Sequence, residues 1–441
     1  TPSNSSAASD VYKRQEINIA RGFTAMKQQN FGYKTAYNGR LFLLCWIAYF
    51  STYICRLNFS AVMPDLISDG AFTQSQTAAI SSAFFISYGA GQLFSGVLGD
   101  KISARFLIFA GVLASGLSNI VIYIFYYSYT AITILWALNG IAQALVWAPI
   151  LKLAGDYYSE GEKLKFGVDI STTVPLGTLA SYGVSLVTLL FAPWKYVFLI
   201  SGAIVIAVAA YWYAGTHSLK KMPKAKAEPA EIKQGKAVSL GKLGKLILIS
   251  GTAALMISIA IQGTLKDSVT QWIPTYLKNQ YGMGTSLSLL LTMALPVVNV
   301  TGAYIAKELN KKLKNELATS AAFFGIAAVF LIVLMTIGTK SALLSLICMA
   351  GITNSMFAIN VMLITMVPLH YSNYGRTGTV GGLLNAVAYI GCGLLNISAG
   401  EILDTGGGWS MLFIMWLALA GAAAIITILC VKPWKKFIKQ Q

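Results

Sequence analysis

Two cations sit where a chain of this kind can least accommodate them. Residues 41–64 carry no charge except Arg56, and residues 246–277 carry none except Lys266 and its neighbour Asp267. Each cation lies eight residues before a proline, Pro64 or Pro274, and the two pairs are offset by the same 210 residues. A charge near mid-bilayer costs about 2.5 to 3.5 kcal/mol on insertion scales, so it must line a water-filled path or meet an anion. The equal offset reads as an internal repeat that brings one cation from each half to a central cavity.

A chain that is 56% hydrophobic and 11% charged is far from a soluble domain and reads as a polytopic membrane protein. A spanning helix needs about 20 apolar residues, and the sequence predicts twelve: 41–63, 77–98, 104–126, 130–152, 166–192, 195–215, 246–275, 283–306, 317–338, 341–367, 377–402 and 409–431. Residues 106–151 lack charge altogether, too long a run for one helix, and predict two joined by a short turn at 126–129. The expected fold class is an all-α membrane protein whose twelve transmembrane helices form two pseudo-symmetric six-helix bundles.

In a soluble chain a net charge of +17 would suggest nucleic acid, but here its distribution records orientation. Of the 33 Lys and Arg residues, 28 fall in the N-terminus, the even-numbered loops and the C-terminus. The positive-inside rule then places both termini in the cytoplasm of a multi-pass protein of the cell (inner) membrane. The resulting divisions are a disordered or artefactual tail at 1–25, a bundle at 26–215, a basic linker at 216–245, a bundle at 246–431 and a basic tail at 432–441. The linker is rich in lysine and holds Pro223 and Pro229, which suits a solvated connection, with contact to anionic lipid as a lesser role. Five cysteines within predicted helices argue against a disulfide framework. No catalytic arrangement, phosphate-cradling loop or metal-ligand spacing is visible, so neither an enzyme nor a cofactor is expected.

Between the second and third predicted helices the chain reads Gly96-Val-Leu-Gly-Asp100-Lys101-Ile-Ser-Ala-Arg105. This resembles the signature loop of the major facilitator superfamily, although Ser103 and Ala104 depart from its usual glycine and basic residue. Gly96, Asp100, Lys101 and Arg105 are the expected gating residues, with Asp100 accepting amide bonds at a helix N-terminus.

Further pieces are similar to the organophosphate:phosphate antiporter family, which includes the glycerol-3-phosphate and hexose-phosphate transporters. They are Tyr53-Ile-Cys-Arg56-Leu-Asn58-Phe59 with Met63-Pro64, Ser87-Tyr88-Gly89, Gln143 with Trp147-Ala-Pro149, Trp272-Ile-Pro274-Thr-Tyr-Leu277, Val361-Met-Leu-Ile364, and Gly378-Thr379 with Tyr389-Ile-Gly391. The resemblance implies that Arg56 and Lys266 bind the exchanged phosphate and gives Tyr49, Tyr53, Tyr88 and Tyr389 pocket roles. Tyr49, Tyr53 and Arg56 share one helix face, as do Tyr88 and Gln92, so Gln92 joins the candidate set. Gln143 and Trp147 are read as helix packing, and Gly378, Gly381, Gly382, Gly391 and Gly393 as sites of close helix approach or bending.

Val174 stands where the family has a histidine, and Leu57 and Gln92 where some members have lysine, so this pocket is less positive. The leading expectation is a monomeric carrier of an organophosphate or other small organic anion in exchange for inorganic phosphate, with the lipid bilayer and no nucleic acid as its other partner. Two alternatives remain: a proton-coupled symporter or drug exporter using Asp169 or Asp267, and a non-transporting sugar-phosphate sensor of the same fold.

Overall fold

A computed structural model describes residues 36–217 and 237–439. The helices are α1 (Ala36–Ser68), α2 (Gln74–Lys101), α3 (Ala104–Ile124), α4 (Tyr129–Tyr157), α5 (Glu160–Ser171), α6 (Thr173–Phe191), α7 (Lys195–His217), α8 (Leu240–Ile249), α9 (Thr252–Tyr281), α10 (Thr285–Thr292), α11 (Ala294–Leu313), α12 (Glu316–Thr336), α13 (Ala342–Asn360), α14 (Val367–Leu369), α15 (Thr377–Asp404) and α16 (Gly408–Lys439). A π-helical stretch, Val361–Met366, joins α13 to α14. Among the described residues ten helical segments are long and apolar enough to cross a membrane, and the bent pair α8 and α9 makes an eleventh. The remaining long helix, α2, runs for 28 residues. It packs on α4 along one flank and α15 along the other, so its serines and Gln92 meet protein and not lipid.

The predicted spans hold, with three breaks that hydropathy alone passes over. The fifth divides at Thr172 and the eighth at Met293. The seventh, expected to run unbroken from 246, bends at Gly251, whose φ of +79° lies in the left-handed region that glycine adopts without a steric cost. Its helix then continues to Tyr281, beyond the expected end at 275. Residues 240–249, assigned to the linker and the start of that span, form the separate helix α8. The segment 432–439, read as a basic tail, continues α16 and buries Trp434 and Phe437. The tail at 1–25 and the linker between 218 and 236 lie outside the described residues.

Three main contacts join the halves, α1 with α9, α2 with α15, and α6 with α10 and α11, and α1 also touches α10. Exchanging the halves maps α1 with α9 onto itself and interconverts the other two, as a twofold repeat requires. The two halves approach closely where side chains are smallest. A Cβ on Gly393 of α15 would stand 2.5 Å from Ile86 Cγ1 on α2, and one on Gly400 of α15 would stand 2.4 Å from Ala78 Cβ on α2; within the C-terminal half, one on Gly263 of α9 would stand 2.3 Å from the Ala388 carbonyl oxygen on α15. Around Gly378 and Gly382 nothing lies within 4 Å, so close approach explains only part of the glycine content.

At the end where α1 passes into α2, polar groups clamp the halves. Lys278 Nζ meets Asp65 Oδ1 at 2.6 Å and donates to Ser68 Oγ at 2.9 Å and to the Pro64 carbonyl at 3.2 Å. Asp65 also accepts from Thr285 Oγ1. Asp404, from the other half, accepts from the amides of Gln74 and Ser75 at 3.0 and 2.7 Å, and so occupies the orphan donors that begin α2. The described cations Arg105, Lys152, Lys163, Lys311, Lys312 and Arg376 belong to the opposite end.

The packing predicts that Gly263→Val lowers the midpoint of thermal unfolding in detergent, because its branches meet backbone that cannot yield. Overpacking of this kind costs about 1 to 3 kcal/mol. Gly382→Ala, facing open space, should leave the midpoint unchanged or raise it. Equal midpoints for the two variants would contradict the assigned contact.

Candidate functional site

Arg56 is reached through a defect in α1. Cys55 leaves helical geometry, with φ −95° and ψ 15°, which turns its carbonyl away from the regular ladder. Side chains of α4 take up that carbonyl: Asn139 Nδ2 donates to it at 2.7 Å and Gln143 Nε2 at 3.2 Å. Ser115 Oγ donates to Asn139 Oδ1 at 2.6 Å, and Asn58 Nδ2 donates to Asn119 Oδ1 at 2.8 Å, extending the network into α3. Buried polar groups in a membrane protein need such partners, since the bilayer core supplies none.

Gln143 is the hinge of this arrangement. Its Oε1 accepts from Arg56 Nε at 2.9 Å, so one amide orients the cation while its Nε2 holds the kink. The guanidinium carbon lies 4.5 Å from the ring centre of Tyr88, 4.8 Å from Tyr53 and 5.6 Å from Phe84. Aromatic faces stabilise a cation by about 0.5 to 2 kcal/mol without offering it an acceptor. Arg56 is 9% exposed, and its Nη2 is buried with no hydrogen-bond acceptor.

Lys266 comes from the facing half. Its Nζ lies 3.4 Å from Asp267 Oδ2, 5.3 Å from the ring centre of Tyr389 and 5.9 Å from that of Phe357. Tyr389 meets Tyr88 edge-on at 4.6 Å, which joins the two cation environments. Tyr49 packs on Tyr53 at 5.7 Å and Trp147 at 4.6 Å, forming a wall behind Arg56. The structure therefore gathers Arg56, Lys266, Asp267, Tyr49, Tyr53, Tyr88 and Tyr389 into one cluster between the halves. Two cations and one carboxylate leave a formal charge of one positive unit.

The other sequence candidates lie apart. Gln92 accepts from Asn385 Nδ2 of the opposite half at 2.8 Å, which makes it a contact between the bundles. Asp169 is partly buried on α5, near Thr172, which accepts from Trp46 Nε1 at 2.9 Å. Trp46 stands ten residues before Arg56 on α1, roughly 15 Å along the axis. Arg105 Nη2 donates to Tyr157 Oη at 2.9 Å, and its carbonyl accepts from Trp212 Nε1 at 3.0 Å, so it ties α3 to α4 and α7 at one end of the bundle. The side chains of Asp100 and Lys101, and the surroundings of Gly96, lie outside what the structure describes.

Sequence reasoning assigned Gln143 to packing and did not select Phe84, Phe357 or Asn385. Phe84 precedes Tyr88, Gln143 precedes Trp147, and Asn385 precedes Tyr389 by four residues each, a shared helix face that carried the signal. Nothing comparable marks Phe357.

The family model of the Major Facilitator Superfamily matches residues 45–396. Membrane sensor protein UhpC of Escherichia coli (strain K12) is 24% identical over 406 residues, covering 88% of this chain and 91% of that protein. A probable hexose phosphate transport protein of Chlamydia muridarum is 30% identical over 169 residues, covering 38% of this chain and 36% of the other. These relatives bear out the resemblance to the organophosphate:phosphate antiporter family. In fold, the chain is similar to a bacterial homologue of the human lysosomal transporter Spinster, in an inward-facing and unoccupied conformation, with a TM-score of 0.76 at 17% identity, covering 92% of this chain and 99% of that one. With its apolar helices, paired halves and a profile match across most of its length, this multi-pass membrane protein belongs to the Major Facilitator Superfamily.

Proposed function

We propose that the chain carries an organophosphate or similar small organic anion across the cell (inner) membrane in exchange for inorganic phosphate, binding both at the Arg56–Lys266 cluster. The observation that carries this reading is the unused donor on Arg56. A buried N–H without an acceptor costs about 1 to 3 kcal/mol, more on a charged group, and an anion between the halves would remove that cost. Gln143 fixes one edge of the guanidinium and leaves the other for a phosphate oxygen, while Lys266 offers a second charge-assisted bond from the facing bundle. A ligand so placed touches both halves, and its binding energy acts on their relative position. The relatives named for hexose phosphate transport support the substrate class.

In this reading the clamp of Lys278, Asp65 and Asp404 closes the outer side, and the basic end is cytoplasmic, with both termini there. Rocking of 26–215 against 246–441 opens each side in turn. A second reading, a sensor that binds the anion without carrying it, has support from the extent of the match to a membrane sensor protein. Purified protein in phosphate-loaded liposomes separates the two. Carrier function requires labelled phosphate uptake that depends on internal phosphate, whereas binding without flux would favour the sensor. Uptake into empty liposomes driven by a pH gradient would replace both with proton coupling, for which Asp267 beside Lys266 is the available carboxylate.

In that exchange assay Arg56→Lys should lose tenfold or more, because an ammonium cannot keep the Gln143 bond and present a second donor edge. Lys266→Arg should retain partial exchange, and Lys266→Ala should abolish anion binding in a protein that still inserts. Normal exchange by Lys266→Ala would remove that residue from the site. Gln143→Glu provides a sharper test of orientation against charge. The carboxylate keeps the bond to Arg56 but gives up the amide donor that holds the Cys55 carbonyl, so the midpoint of thermal unfolding should fall; by neutralising the site it should also weaken phosphate binding at least tenfold in the folded protein, and unimpaired binding would count against an anion at Arg56.

The clamp yields its own expectation. Lys278→Gln should raise thiol labelling of a single-cysteine reporter at the outer mouth, in a background lacking the five native cysteines. Loss of a half-buried ion pair worth about 1 kcal/mol shifts a two-state equilibrium roughly fivefold. Unchanged labelling at both mouths would show that the clamp does not hold the outer side shut.

A further inference from the structure

The helix α8 stops short of the span it precedes, and its position is set by that span. The two meet at 78° through Ser250 and Gly251. With 30 residues, α9 is about 45 Å long, the thickness of a bilayer including its headgroups. Its first residue, Thr252, therefore stands at headgroup level, and α8, nearly perpendicular, runs along the membrane surface.

Several contacts fix this arm. Arg376 Nε donates to the Val238 carbonyl at 2.8 Å, and the Val238 amide donates to the Tyr374 carbonyl at 3.1 Å. Ser239 Oγ caps the helix by accepting from the Lys242 amide at 3.3 Å. At the other end the Ser250 and Thr252 hydroxyls share hydrogen bonds with Tyr371 Oη at 2.8 and 2.9 Å.

The side chains of α8 divide around its axis. Leu243 and Ile247, one turn apart, are buried against the protein. Beside that line Leu240 and Leu248 are 67% and 70% exposed. Lys242 and Lys245, exposed, project from the opposite arc by helical spacing, with Ile249, also exposed, between them at the end of the helix that joins the span. A bare apolar flank costs about 25 cal/mol per Å² in water, and this one continues onto an apolar flank of the neighbouring span. Cys430 Sγ of α16 lies 3.5 Å from the Gly251 carbonyl oxygen. One turn back from there Leu429, Ile425 and Ile428 are exposed, while Lys432 and Lys436 are exposed just beyond it. Apolar side chains thus border a row of lysines along both elements, the pattern of a helix lying in an interface rich in anionic lipid.

We propose that α8 is an interfacial anchor: Leu240 and Leu248 enter the acyl region of the leaflet at this end, and Lys242 and Lys245, together with Lys432 and Lys436, bind the phosphates of anionic lipid headgroups. Because α8 is joined by two residues to the span that carries Lys266, lipid held there biases the position of α9. The anchor does not depend on which anion the central site takes, or on whether it is carried.

The full-length protein in nanodiscs of phosphatidylcholine mixed with phosphatidylglycerol tests both parts. A spin label at Leu248→Cys should collide more with oxygen than with a water-soluble nickel chelate, and one at Lys245→Cys should show the reverse; the five native cysteines are buried. Equal nickel access at the two positions would overturn the insertion of α8. In native mass spectrometry, Lys242→Gln and Lys245→Gln should each weaken phosphatidylglycerol retention about fivefold and together roughly 30-fold, from the attraction of a lysine to an anionic surface. Retention equal to that of the unaltered protein would overturn the headgroup assignment.

Discussion

A guanidinium inside a bundle of apolar helices governs the organisation of the N-terminal half. Arg56 cannot be moved there without partners, since charge separated from water and counterion costs several kcal/mol. The structure answers with a bent helix, a glutamine and aromatic faces in place of a carboxylate. The kink at Cys55 frees a carbonyl, Asn139 and Gln143 bind it, and Gln143 turns its oxygen to Arg56. The kink in the backbone, side-chain satisfaction and cation orientation are thus one construction. Its incompleteness is informative: every surrounding group stabilises the cation, and none consumes its outer donor.

The facing half meets this construction with a different one. Lys266 is accompanied by its own carboxylate, Asp267, and by Tyr389, which also touches Tyr88 across the interface. The pseudo-symmetric positions therefore hold unlike environments, a rigid fork on one side and a flexible ammonium with a counterion on the other. Between them the bundles meet along α2 and α15, where glycine lets backbone approach backbone, and at one end they are clamped by Lys278, Asp65 and Asp404.

Much of this was legible in the chain itself. Long uncharged runs predict the spans because the bilayer imposes one requirement on every segment, length and apolarity, which any window of sequence can be tested against. The isolated cations, their common distance to proline and the four-residue spacing of tyrosines on α1 marked the cluster for the same reason: each is a property of one helix read along its own axis. The breaks were less legible. Nothing in hydropathy separates 246–249 from the span that follows, and the break rests on one backbone angle at Gly251.

What the sequence by itself determined is the class of protein, the number and approximate bounds of its spans, the repeat, and the residues whose charge demands a partner. Tertiary structure alone decided which partner each received: Gln143 and not a carboxylate for Arg56, Asn385 for Gln92, Asp65 for Lys278, and protein on both flanks of α2. The reason is geometric. Apolarity acts on each helix separately through a common solvent, whereas a hydrogen bond across the bundle depends on how two helices are rotated and translated relative to each other, which residues far apart in the chain settle together.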